Sequence, residues 1–148
     1  MSHSFVCNLL HIVFSTKSRR PFLSEDALRD EMHAYLGGVC RNLKSPVLTI
    51  GGTEDHVHLL VSLHQSLSLD DLLRDIKRSS SKLVKTKGEK YAEFHWQNGY
   101  AAFSISPSHV DALKEYIANQ REHHRKVSFE DELQKLMEKY GVDSDRLG

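Results

Sequence analysis

The sequence predicts an α+β fold, a ferredoxin-like split βαβ with an antiparallel sheet, helices on one face, and further helices at the C-terminal end. Three observations carry this. The predicted elements run strand, helix, strand, strand, helix, strand, then helices, which is the order of a split βαβ sheet. One strand, His56 to Leu63, has a wholly aliphatic face (Val57, Leu59, Val61, Leu63), the pattern of a sheet covered by helices. The chain has 148 residues, 39% hydrophobic and 27% charged, which suits one compact domain, 1–148, and excludes a disordered chain.

Each element has its own signal. Phe5 to Ser15 alternates as a strand, with Leu10, Ile12 and Phe14 on one face and His11 and Val13 on the other. A helix is expected over Asp26–Asn42, capped by Ser24 and striped by Ala27, Leu28, Met32, Tyr35 and Leu36; Gly37 and Gly38 weaken its second half. Val47 to Ile50 follows as a strand after Pro46, and the Gly51–Asp55 stretch reads as a turn into the strand from His56. Ser68 caps a helix from Leu69 to Val84, with Leu69, Leu72, Leu73, Ile76, Leu83 and Val84 at helical spacing. The Asn98-Gly99 turn leads to a short strand around Phe103 and Ile105. A third helix is expected from Ser108 to about His124, and a last amphipathic one over Phe129–Tyr140.

Charge and cysteine usage exclude several classes. The 20 basic and 20 acidic residues cancel, so bulk charge announces no nucleic-acid partner. Their placement is less neutral: Arg74 to Lys90 holds seven bases (including Arg74, Lys77, Arg78 and Lys82) against two acids, and Lys17, Arg19 and Arg20 form a second cluster. Such segregation builds a local positive surface or simply a solvated helix face. The apolar run Phe5–Phe14 is broken by Asn8 and His11, a poor secretory signal and too short to span a bilayer. Two cysteines, Cys7 and Cys40, make neither a disulfide framework nor a four-ligand zinc site, and a reducing cytoplasm is expected.

Two short constellations carry possible chemistry. His56 and His58 are two apart on a strand, so both imidazoles point to one side and can reach one metal ion; a solvated or stacked pair fits the same spacing. Tyr116 and Gln120 are four apart and share a helix face, which suits either a site or ordinary amphipathic packing. Among the other features, His11 is expected as a hydrogen-bonded sheet histidine and Trp96 as buried. His123-His124 with Arg121, Arg125 and Lys126 reads equally as a phosphate contact or a solvated helix end.

Taken together, these stretches resemble the single-tyrosine HUH transposases of IS-two-hundred-like insertion sequences. The similar segments are His11-Ile12-Val13-Phe14-Ser15-Thr16-Lys17 with Arg19-Arg20-Pro21, Glu54-Asp55-His56-Val57-His58-Leu59-Leu60, Trp96-Gln97-Asn98-Gly99-Tyr100, Phe103-Ser104-Ile105-Ser106 and Tyr116-Ile117-Ala118-Asn119-Gln120. The resemblance implies that His56, His58 and Gln120 hold a divalent ion, Mg2+ or Mn2+, and that Tyr116 is the nucleophile. It implies an endonuclease that cleaves and rejoins single-stranded or hairpin DNA at insertion-sequence ends through a 5′-phosphotyrosine. Lys17, Arg19, Arg20, Arg74, Lys77, Arg78 and Lys82 are the candidate DNA-backbone contacts. It also implies a homodimer with composite sites, the tyrosine helix of one subunit completing the HUH site of the other; folding back onto the same chain is the alternative. The histidine face of the sheet is read as open, so replacing either histidine is expected to change stability little.

Two other functions compete. One is a nucleic-acid-binding protein with a silent site, against which the intact His56, His58, Tyr116 and Gln120 speak. The other is a metal-dependent phosphohydrolase of the histidine-triad kind, which needs a further histidine where this chain has Leu60.

Overall fold

A computed structural model describes residues 3–143. Four strands, β1 (Leu9–Ser15), β2 (Val47–Gly52), β3 (His56–Ser62) and β4 (Ala101–Ser104), form one sheet in the order β2-β3-β1-β4. Every neighbouring pair is antiparallel, so the sheet is the split βαβ arrangement expected from the element order. α1 (Asp26–Asn42) and α2 (Leu69–Lys85) are the two crossovers. α3 (Val110–Ala118), α4 (Gln120–His123) and α5 (Phe129–Lys139) follow β4.

Alternation in β1 and β3 sorts the side chains onto two faces with different partners. On one, Ile12, Phe14, Val57, Leu59 and Val61 bury against Leu28, Met32, Leu36 and Cys40 of α1 and Leu72, Leu73, Ile76 and Val84 of α2. Each such side chain taken from water contributes about 1.5–3 kcal/mol, so this layer dominates stability. Trp96 closes its edge, edge-on to Phe14 with its indole N–H donating to Ser80 Oγ at 2.9 Å, and is buried as expected.

The opposite face, read from the sequence as open, is covered by α3, α4 and α5. Its apolar cluster is small: Leu60, Ile105 and Ile117 are buried, with Leu113, Tyr116 and Tyr140 packed around them. Close approach of α3 to the sheet depends on Gly51, where a Cβ would lie 2.2 Å from the Ile117 carbonyl oxygen. Gly51 and Gly52 are therefore the last residues of β2 rather than turn residues. Gly51→Ala is expected to cost about 1–3 kcal/mol through forced displacement of α3. Gly38→Ala, inside α1 where a Cβ meets nothing within 4 Å, is expected to gain about 0.5–1 kcal/mol. Thermal denaturation of the two variants checks the pair.

Several boundaries differ from the sequence reading for local reasons. β1 begins at Leu9, not Phe5, because its partner β3 ends at Ser62, opposite Leu9. The N-cap of α1 is Glu25 rather than Ser24; Arg29 ties this end by donating to the Leu23 carbonyl (2.7 Å) and Asp26 (2.6 Å). The third helix is interrupted: Asn119 leaves helical geometry (φ −98°, ψ 18°) and separates α3 from α4, while Ser108 lies in a 3-10 turn before α3 instead of capping it. No helix among the described residues is long and apolar enough to cross a membrane.

Candidate metal and tyrosine site

The site is built where the second face of β3 meets the C-terminal helices. Period-two alternation points His56 and His58 to that face, and α3 brings Tyr116 over it while Gln120 opens α4. Gln120 Oε1 lies 3.2 Å from His56 Nε2. The sequence pairs His56/His58 and Tyr116/Gln120, separated by about sixty residues, thus converge within one chain. Within this single chain the tyrosine helix folds back onto its own sheet, the alternative to the composite arrangement that the resemblance implies.

Each inner imidazole is anchored from outside. His56 Nδ1–H donates to Asp55 Oδ1 at 2.8 Å, with Thr53 Oγ1 2.9 Å from the same nitrogen. His58 Nδ1 shares a 2.8 Å hydrogen bond with Nε2 of His11, a wholly buried sheet histidine that is hydrogen-bonded as the sequence reading expects. His124 Nδ1–H donates to the Val127 carbonyl at 2.7 Å. In all three the Nε2 atom is left facing inward, the orientation that outer hydrogen bonds impose on metal-binding histidines.

The residue that sequence reasoning missed is Glu132 of α5, whose side chain is 1% exposed. Its Oε1 lies 3.0 Å from both His58 Nε2 and His124 Nε2 and 3.5 Å from His56 Nε2. Its Oε2 accepts from Gln120 Nε2 at 2.9 Å and from the Tyr116 hydroxyl. A signal existed: Glu132 stands three residues after Phe129 and one before Leu133, a charge inside the apolar stripe of an amphipathic helix.

The electrostatics follow from burying one carboxylate among imidazoles. Burial pushes Glu132 up, but hydrogen bonds from His56 and His58, with the contact to Tyr116, outweigh it and hold the carboxyl well below its usual range. Burial likewise opposes protonation of His56, yet its bonds to Asp55 and Glu132 prevail and raise it to about 9. His58 and His11 go the other way, to about 4 and about 3, because desolvation dominates there. The Tyr116 phenol is pushed up by burial and by its bond to the Glu132 carboxylate, so it stays protonated.

This donor set fits a divalent ion. The N–H of His56 is committed outward to Asp55, so its Nε2 lone pair confronts the Gln120 oxygen, and a cation must sit between them. A proton on His56 serves that purpose in the free protein; a metal held by His56, His58 and Gln120 serves it equally. His56, His58, His124 and Glu132 each offer one ligand atom, all within 4.8 Å of one another.

The basic candidates are distributed differently. Lys17, Arg19 and Arg20 directly follow β1, at the end of the sheet where Ser15 pairs with His56. Arg19 forms an ion pair with Glu130 of α5, and the Arg20 guanidinium lies over the Phe22 ring at 4.6 Å. Arg74, Lys77, Arg78 and Lys82 are on α2, across the sheet from Tyr116. Arg74 pairs with Asp71 and Asp75, and the half-buried Lys77 ammonium donates to the carbonyls of Gln97 (2.9 Å) and Gly99, holding that loop. Arg78 and Lys82 are exposed.

The sheet thus presents a histidine pair to Tyr116 of α3 and Gln120 at the start of α4, and comparison with known proteins shows the family. Residues 5–120 match the family model described as "Transposase IS200 like". The chain belongs to the IS200-like transposase family. A search of the curated proteins finds no match. Among solved structures, a protein described as a transposase from Deinococcus radiodurans R1 superposes with a TM-score of 0.63 at 20% identity, covering 81% of this chain and 96% of that one. A REP-associated tyrosine transposase bound to a REP hairpin gives 0.57 at 14% identity, covering 79% of this chain and 68% of that one. At such identities these two likenesses speak for the fold.

Proposed function

We propose that this protein is a metal-dependent single-tyrosine DNA strand transferase acting, as one domain, on single-stranded or hairpin DNA at insertion-sequence ends. The observation that carries the proposal is the convergence of Tyr116, Gln120, His56 and His58 on one sheet face. Tyr116 Oη forms a bond to the scissile phosphorus, and the bond from phosphorus to the 3′-oxygen breaks. The phenol proton, held toward Glu132, balances the one taken up by the 3′-oxygen. The products are a 5′-phosphotyrosine and a free 3′-hydroxyl, and the retained ester lets another 3′-hydroxyl reverse the step without ATP. Bound by His56, His58 and Gln120, Mg2+ or Mn2+ would polarise the phosphate and assist the departing oxygen. A cavity of about 290 Å3 opens beside Tyr116, with His109, Lys135 and Lys139 in its lining to attract a phosphate. Hairpin binding by the second structural neighbour supports a hairpin substrate here.

The decisive experiment incubates the protein with labelled single-stranded DNA from its genomic flanks, with and without Mg2+ or Mn2+. A metal-dependent, denaturation-resistant protein–DNA band is expected; binding without it would leave a silent nucleic-acid-binding protein. The backbone contacts are proposed at Lys17, Arg19, Arg20, Arg74, Arg78 and Lys82; the Lys77 ammonium, bonded to the Gln97 and Gly99 carbonyls, holds their loop instead. Lys17 and Arg20 are exposed at the site end of the sheet, and Arg78 and Lys82 project from α2. Converting either pair to Gln is expected to weaken binding and flatten the log–log salt slope by about 0.7 per lost contact on single strands. An unchanged slope for a pair would mark it as ordinary solvated surface. Homodimers are part of this reading, with each chain keeping its own tyrosine.

A further inference from the structure

The family match ends at residue 120, yet two groups that close the site, His124 and Glu132, lie beyond it. We propose that His124 and Glu132 are additional metal ligands, making this centre a carboxylate site with three imidazoles that takes a transition-metal dication in preference to Mg2+. The proposal extends the reading above, because it adds ligands to the same centre.

Geometry carries it. His124 commits Nδ1–H to the Val127 carbonyl, so its Nε2 lone pair points at Glu132 Oε1, 3.0 Å away. That same oxygen lies 3.0 Å from His58 Nε2 and 3.5 Å from His56 Nε2. One carboxylate oxygen thus faces three imidazole nitrogens, two of which have their N–H directed elsewhere. The His124 lone pair aimed at this carboxylate oxygen repels it unless positive charge lies between them. Donors bound to one Zn2+ at about 2.0–2.2 Å stand roughly 3.3–3.5 Å apart; here Glu132 Oε1 lies 3.0–3.5 Å from the three nitrogens, and all four atoms lie within 4.8 Å of one another.

The arrangement also keeps Glu132 bifunctional. Oε1 faces the imidazoles while Oε2 receives Gln120 and the Tyr116 hydroxyl, so one carboxylate links the metal position to the nucleophile. Helix α5 is held for this purpose by its Ser128 cap, which accepts from Asp131 N–H at 3.1 Å, by the Arg19–Glu130 pair and by stacking of Tyr140 on Phe103. Selectivity follows from ligand chemistry. Mg2+ prefers oxygen ligands and retains several waters, whereas imidazole nitrogens favour Mn2+ weakly and Zn2+ strongly.

The test is calorimetric titration of the full, metal-stripped protein with Mg2+, Mn2+ and Zn2+, for wild type, Glu132→Gln and His124→Ala, with circular dichroism to confirm folding. Wild type is expected to bind Mn2+ and Zn2+ at least about tenfold more tightly than Mg2+. Each variant is expected to lose about tenfold or more in Zn2+ affinity. X-ray absorption at the zinc edge of wild type should show three imidazole ligands, a readout that stands even if a variant fails to fold. Two imidazoles in that spectrum, unchanged Zn2+ affinity in a folded Glu132→Gln, or equal Mg2+ and Mn2+ binding would overturn the proposal. These readouts need no DNA. Failure to form the covalent adduct, with the metal pattern intact, would therefore overturn the strand-transfer reading and leave this one standing.

Discussion

Tyr116→Phe is expected to abolish the covalent protein–DNA adduct while leaving fold and DNA affinity nearly intact. Only one oxygen is removed. The ring keeps its edge-on contacts with His11 and His58, and Glu132 Oε2 retains its bond from Gln120. Losing one hydrogen bond to a carboxylate costs about 1.5–3 kcal/mol at most, while losing the nucleophile removes the reaction itself. A gel under denaturing conditions reads the adduct, and a binding isotherm on the same DNA shows that recognition survives. An adduct formed by Tyr116→Phe would move the nucleophile to another of the five tyrosines. Mixing this variant with His58→Ala chains is expected to restore no cleavage even when heterodimers form, because Tyr116 sits over the histidines of its own chain. Recovery in the mixture would establish the composite site.

His56→Ala is expected to eliminate cleavage and also to destabilise the free protein, the second effect being one the sequence did not foresee. His56 and Glu132 are each 1% exposed, and His56 supplies the charge that balances the carboxylate. Removing one partner of a buried pair leaves an uncompensated charge and costs about 3–5 kcal/mol. Adding Glu132→Gln should restore a large part of that stability, since the stranded charge disappears, without restoring cleavage. Denaturant unfolding of the two single variants and the double variant measures the coupling. Additive losses would show that Glu132 does not depend on His56.

Much of this site was legible because its signals are local. Two imidazoles two apart on a strand share a face whatever surrounds them, and Tyr116 and Gln120, four apart, still meet at Glu132 although Asn119 breaks the helix between them. The aliphatic face of His56–Ser62 likewise announced its helical cover. What the sequence misread was the other face. Its polar residues look like solvent-facing ones, and nothing in β3 says that a helix seventy residues later brings a carboxylate to it. Lys77 shows the same difficulty: on a helical wheel it is one base of a positive face, yet the fold spends its ammonium on two loop carbonyls.

The sequence by itself determined the order of elements, the aliphatic layer between sheet and α1/α2, and the membership of the two motif pairs, because periodicity is a property of neighbouring residues. Only the tertiary structure decided that α3 and α5 fold back over the histidines, that Gly51 ends a strand rather than making a turn, and that Glu132 joins His56, His58, His124, Gln120 and Tyr116. Those outcomes depend on contacts between residues distant in the chain. They are set by close approach of backbones and by compensation of a buried charge, neither of which has a spacing that can be read in one dimension.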